Sequence, residues 1–206
     1  MSSSAALNEI GTILEQMIES QWEDDPKILG LKCPKITFDS PYDLVKRAAE
    51  GNQYLSLFLF HVSENTYLKN SLADTFFDNA TGSEMQPDLP LALDLIFLVT
   101  AISTTGTSQD PTNEKRILGR VMQIFNDNRE IRSAAPSVPT IRIYLHTMSS
   151  EEIARIWTSF PETPYRLSVA YLVTPVFIDS IRHGALPKRV VDRSLGSAQA
   201  EKRSDV

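Results

Sequence analysis

Apolar positions near the start of the chain recur at spacings of three and four. Leu7, Ile10, Leu14, Met17 and Ile18 form one stripe, and Glu9, Glu15, Gln16 and Glu19 occupy the other face. This period predicts an amphipathic helix from Ser4 to Gln21. Ser2 to Ser4 offer capping hydroxyls, and Asp24-Asp25-Pro26 ends the run because proline cannot continue a helix. Lys35 to Phe38 alternates and predicts a short strand. Asp39-Ser40-Pro41 predicts a turn, and Tyr42 to Glu50 a short helix.

Tyr54 to Val62 is apolar at both odd and even positions, as is Leu93 to Ala101. Strands of that kind lie inside a sheet covered on at least part of both sides. Between them runs a polar excursion, Asn65 to Pro90, punctuated by Tyr67, Leu68, Leu72, Phe76 and Phe77. Loops this long in a compact domain are often functional.

Asp110-Pro111 predicts a helix start with Asp at the N-cap. Ile117, Leu118, Val121, Met122 and Phe125 supply the apolar stripe, and Asn126 to Asn128 the stop. Thr140 to His146 reads as a strand. Ser149 and Glu152 have capping-box spacing, with Met148 and Ile153 placed as a hydrophobic staple. Ile153, Ile156, Trp157 and Phe160 are the expected buried stripe of that helix. Tyr165 to Val176 is the last long strand.

Leu93 to Ile102 echoes Leu167 to Val176, as two neighbouring strands of one sheet would. The order of elements predicts an α+β domain, a mostly antiparallel sheet with helices packed on one face. Residues 1–181 are expected to form one domain and residues 182–206 a basic, flexible tail.

Charge sharpens that division. The net charge is −6, which argues against general nucleic-acid affinity. The last segment carries Arg182, Lys188, Arg189, Arg193, Lys202 and Arg203 against Asp192, Glu201 and Asp205, so the body is acidic and the tail basic. Such halves are complementary surfaces for assembly. The expected partner contacts are Phe76 and Phe77, an apolar pair beside Asp74 and Asp78, and the tail cations Arg182, Lys188, Arg189 and Arg193.

Catalytic chemistry finds little support. The one cysteine, Cys33, precedes a proline with no base beside it. His61, His146 and His183 stand outside any zinc-binding spacing. The hydroxyl-rich run Ser103 to Ser108 lacks the Gly-Lys-Ser/Thr core of a phosphate loop and reads as a connection. No cofactor is expected. The apolar run Leu89 to Ile102 contains Asp94 and is too short to span a bilayer. A protein made in the cytoplasm, with no direct membrane insertion, is expected.

Three segments taken together carry a resemblance. They are Tyr54 to Thr66, an apolar strand with a Val-Ser-Glu-Asn exit; Leu91 to Ala101, followed by a polar loop and the helix Glu114 to Phe125; and Pro164 to Ile178. In that order they resemble the cap, or tail-terminator, family of phage-tail-like contractile injection systems, of the Photorhabdus virulence-cassette and antifeeding-prophage type. The resemblance spans residues 5 to 180 and implies no active-site residues. It implies a tail-terminator-like α+β fold and a homo-hexameric ring that ends the inner tube and the sheath. It also implies a particle either released or anchored to a membrane. Two alternatives from other classes are an adaptor that docks the particle to a membrane or host structure, and a small hydrolase using His61.

Overall fold

The computed structural model describes residues 5–22, 31–68, 76–78, 83–87, 90–132, 140–160, 163–178 and 183–185. The stripe of the first helix becomes α1 (Ala6–Gln21), with Ile10, Leu14 and Ile18 buried. Burying side chains of this size contributes about 1.5–3 kcal/mol each. The proposed serine caps, the helix start at Ser4 and the Asp24-Asp25-Pro26 stop lie outside the described residues.

Lys35–Thr37 forms β1 and Pro41–Arg47 forms α2. Ser40 caps α2, its hydroxyl accepting from Asp43 N. The two continuous apolar runs become β2 (Gln53–Glu64) and β5 (Leu91–Ser103). They pair antiparallel, with a bulge at Phe60 in β2. α3 (Asp110–Asp127) leads through β6 (Glu130–Ile131) to β7 (Ile141–His146), then α4 (Ser150–Thr158) and β8 (Ser168–Ile178). The last strand starts at Ser168 rather than at Tyr165. The six strands run β1-β2-β5-β8-β7-β6. Only the β1–β2 pair is parallel. The echoing segments are indeed neighbours: β5 pairs β8, with Phe97 opposite Tyr171.

One face of the sheet carries α1 and α3. Leu55 and Leu57 of β2, Phe97 and Val99 of β5, and Tyr171 and Val173 of β8 pack there with both helices in one cluster. Phe125 of α3 meets the Tyr171 ring edge-on at 4.9 Å between centroids. The helix ends are tied by paired amides: Gln21 Nε2 donates to Asn128 Oδ1 at 2.9 Å, and Asn128 Nδ2 donates to Gln21 Oε1 at 2.7 Å.

The expectation of helices on a single face is corrected. α2 and α4 cover the opposite face, which is why both faces of β2 and β5 are apolar. Ser56, alternating with Leu55 and Leu57, donates to the Asp39 carbonyl just before α2. Phe58 meets Phe160, just beyond α4, at 6.3 Å between ring centroids. The capping box is present: Ser149 Oγ accepts from Glu152 N, and Glu152 accepts from Ser149 N. The Ser149 amide foremost, and then the Ser149 hydroxyl, both donating to Glu152 Oε2, hold that carboxyl below its ordinary pKa. Of the expected α4 stripe only Trp157 is fully buried, while Ile153, Ile156 and Phe160 are half-buried.

Asp110 departs from its expected role. The N-cap is one residue earlier, Gln109, whose carbonyl accepts from Thr112 N and Asn113 N, so Asp110 is the first helical residue. The Asp110 carboxylate turns back onto the preceding loop. It accepts from Ser103 Oγ at 2.6 Å, from the Thr105 hydroxyl and amide, and from Gly106 N at 2.9 Å. Gly106 has φ +71°, a conformation that favours glycine. These donors, Ser103 and then Thr105 foremost, lower the Asp110 pKa.

Candidate assembly surface

The polar excursion is not a plain loop. It contains β3 (Phe76–Asp78) and β4 (Ser83–Pro87), which pair antiparallel, Phe76 opposite Met85 and Phe77 opposite Glu84. A third strand, β9 (His183–Ala185), joins them from the far end of the chain, with Ala185 opposite Met85 and Gly184 opposite Gln86. The second sheet therefore runs β3-β4-β9. Two regions singled out separately by sequence, the excursion and the basic segment, meet in one sheet. Phe76 and Phe77 lie on its edge strand. His183 to Ala185, within the expected tail, are strand; Arg182, Lys188, Arg189 and Arg193 lie outside the described residues.

The root of the excursion is pinned to the main sheet. Asn65, 9% exposed, follows β2 directly. Its Nδ2 donates to Asp94 Oδ1 at 2.8 Å and to Thr174 Oγ1 at 3.2 Å. Its Oδ1 accepts from the amides of Tyr67 and Leu68, both at 3.0 Å. Thr174 also donates to Asp94. This cluster sits where β8 bulges, Thr174 and Pro175 standing between the Leu95–Val173 and Leu93–Val176 pairs. A bulge re-aims the chain at a sheet rim, and here the residues that fill it hold the departing segment.

The outer edge of β7 is covered for part of its length. β6 pairs with Ile141 and Arg142, and Ile143 N donates to the Arg129 carbonyl at 2.9 Å. Among the described residues no strand lies beyond that point on this side. Leu145, two residues on from Ile143 and therefore with the same outward-facing backbone, is 55% exposed. Clefts of about 260 Å³ flank it on both faces of the sheet. One, under α4, is walled by Leu98, Met148, Ile156, Trp157 and Ala170 as well as Leu145. The other, beside α3, is walled by Phe125, Arg129, Ile143, Tyr171 and again Leu145. Trp157 Nε1, in the first wall, is buried and has no acceptor among the described residues.

His61 is exposed on β2, across from Ile96 and beside the Phe60 ring. Cys33 is exposed. Among the described residues no group of three or more His, Cys, Asp or Glu is placed to hold a metal ion. No described helix is long and apolar enough to cross a membrane.

Residues 9–191 match the model of the Pvc16 N-terminal domain. The chain belongs to the Pvc16 N-terminal domain family. A comparison of the sequence with curated proteins finds no match. Solved structures share its fold. The sheath/tube terminator of an extracellular contractile injection system, PVC, in the extended state superposes with a TM-score of 0.63 at 18% identity. The match covers 98% of this chain and 66% of that one. The tube-terminating cap of the anti-feeding prophage gives a TM-score of 0.59 at 16% identity, covering 91% of this chain and 60% of that one. This Pvc16 N-terminal domain chain thus has the α+β fold of tube terminators and spans less than two thirds of the length of either.

Proposed function

We propose that this chain is a structural cap of a contractile injection system. It forms a ring, a homo-hexamer, on the end of the inner tube and the sheath and stops their growth. The observation that carries this reading is the match over 98% of the chain to a sheath/tube terminator, joined to membership of the Pvc16 N-terminal domain family. Its partners are the terminal layers of tube and sheath. It works by binding rather than turnover, and no cofactor takes part. It reaches the particle from the cytoplasm where it is made.

The second sheet supports the same reading. Phe76 and Phe77 give its edge strand large apolar anchors of the kind interfaces favour. The cations Arg182, Lys188, Arg189 and Arg193 lie on either side of β9 in the sequence and would offer charge to an acidic tube, sheath or neighbouring subunit. The decisive experiment is particle length by electron microscopy in cells lacking this chain. Tubes and sheaths of irregular length, or unstable particles, are expected. A normal length distribution would overturn the proposal.

A further inference from the structure

The outer edge of β7 has the features of a strand-accepting site. Among the described residues no strand pairs with the outward-facing backbone of Leu145, and a cleft opens on each side of it, the one under α4 mainly apolar and the one beside α3 mixed, with Asn126 and Arg129 in its wall. A strand added to such an edge gains main-chain hydrogen bonds, while successive side chains go to opposite faces. Two adjacent bulky apolar residues would therefore fill both clefts at once.

Charge narrows the choice of occupant. Arg132 and Arg142 share one carboxylate, Glu130, at 3.3 and 3.7 Å. Arg129 bonds the neutral amide of Asn126. Three cations against two carboxylates, Glu130 and the Asp127 that Asn126 Nδ2 bonds at 3.4 Å, leave these residues with a surplus of one positive charge. An incoming strand should be apolar at two consecutive positions and acidic beside them.

The chain itself contains such a strand. β3 reads Phe76-Phe77-Asp78 and, among the described residues, stands at the edge of its sheet with β4 on one side. β4 adds Glu84, and neither strand contains Lys or Arg. We infer that the β7 edge of one copy receives the β3 edge of a second copy, so that Phe76 and Phe77 enter the two clefts and Asp78 meets the arginines. The contact joins two different patches. It is therefore heterologous, and repetition closes a ring or extends a filament.

This inference rests on the ring-forming reading above, and its test is separable because it needs no particle. Sedimentation velocity and native mass spectrometry would compare the wild type with Leu145→Asp and with Phe76→Ser/Phe77→Ser. The wild type should form a closed oligomer, and each variant alone should be monomeric. Their equimolar mixture should stop at dimers, because one variant keeps its β3 and the other keeps its β7. Asp78→Arg should weaken association and Arg142→Glu should restore it. If Leu145→Asp fails to fold by circular dichroism, Arg142→Glu alone, at an exposed site, serves as the β7 variant.

Three results would overturn the inference: wild-type assembly by the β7 variant, a mixture that stays monomeric, or a wild type monomeric at every attainable concentration. If in that last case the β7 variant also loses its place on particles, the edge receives a strand of sheath or tube instead. Irregular particle length in cells without the chain would then leave the cap reading standing while this contact falls.

Discussion

Asn65 donates to Asp94 at 2.8 Å, and that bond joins the end of β2 to the inside of β5. The same amide fixes the first residues of the excursion through the Tyr67 and Leu68 backbones. The start of the excursion is thus held to the main sheet by part-buried polar groups, with Asn65 itself only 9% exposed. Asn65→Ala removes part-buried hydrogen bonds, a loss of about 0.5–1.5 kcal/mol. The expected result is a lower urea midpoint and faster amide exchange at Tyr67 and Leu68. Unchanged exchange there would remove the pin from the account.

Tyr171 gives the main core an alkaline signature. Burial pushes its phenol up to about 12 from an ordinary value of 10.0. The raised folded value means that its contribution is complete below the unfolded value and is lost as pH rises through the folded one. Stability should therefore fall between about pH 10 and pH 12. Tyr171→Phe cannot ionise, so its urea midpoint should decline less across that window. Parallel decline in both proteins would show that the phenol ionises equally well folded or unfolded.

Asp110 gives the opposite signature. Its pKa is lowered by donors from Ser103, Thr105 and Gly106. A depressed folded value contributes stability above the unfolded pKa, and that stability is lost as pH falls through the folded one. Asp110→Ala should cost about 0.5–2 kcal/mol at neutral pH, hydrogen bonds to a charged group discounted for its exposure. The difference from wild type should shrink below about pH 4, where the unfolded carboxyl takes up its proton. Equal differences at neutral and acid pH by denaturant titration would contradict this assignment.

Sequence periodicity located α1, α3 and α4 and the long central strands, because each of those elements satisfies its pattern locally. Ser149 and Glu152 revealed their capping box for the same reason. Helices on the second face were foreshadowed by the continuous apolar character of Tyr54 to Val62, a signal that single-face packing could not explain. The second sheet was not legible. Its three- to five-residue strands are too short for a period, and β4 finds its β9 partner only through the tertiary fold. Asp110 was misplaced because Asp-Pro suits an N-cap, while the competing donors of Ser103 to Gly106 are visible only in three dimensions. Phe76 and Phe77 stood out by type, but nothing in their spacing placed them on an edge strand.

The C-terminal segment divides into two parts that truncation should separate. Removing residues 186–206 leaves β9 in place. The subunit's thermal transition should hold while association with sheath–tube particles becomes weaker or more salt-sensitive. Individual exposed ion pairs contribute only about 0–1 kcal/mol, so the effect depends on several acting around a ring. Removing residues 183–206 also strips β4 of a partner and should speed amide exchange in β4. Co-sedimentation across a salt series and exchange mass spectrometry would distinguish the two. Equal particle binding by wild type and the shorter deletion at every salt concentration would make the basic segment a bystander.

The pairing of β4 with β9 also sets an order in time. Roughly a hundred residues lie between Pro87 and His183, a wait of roughly 5–20 s at translation rates of about 5–20 residues per second. Throughout that interval the nascent chain can organise much of its main sheet, yet the second sheet lacks its third strand. A copy that stalls or is cut before His183 can never complete it. If β9 is needed to hold β4 and so the β3 edge in place, the fold delays self-association until His183 to Ala185 have been made and keeps copies without them out of the assembly.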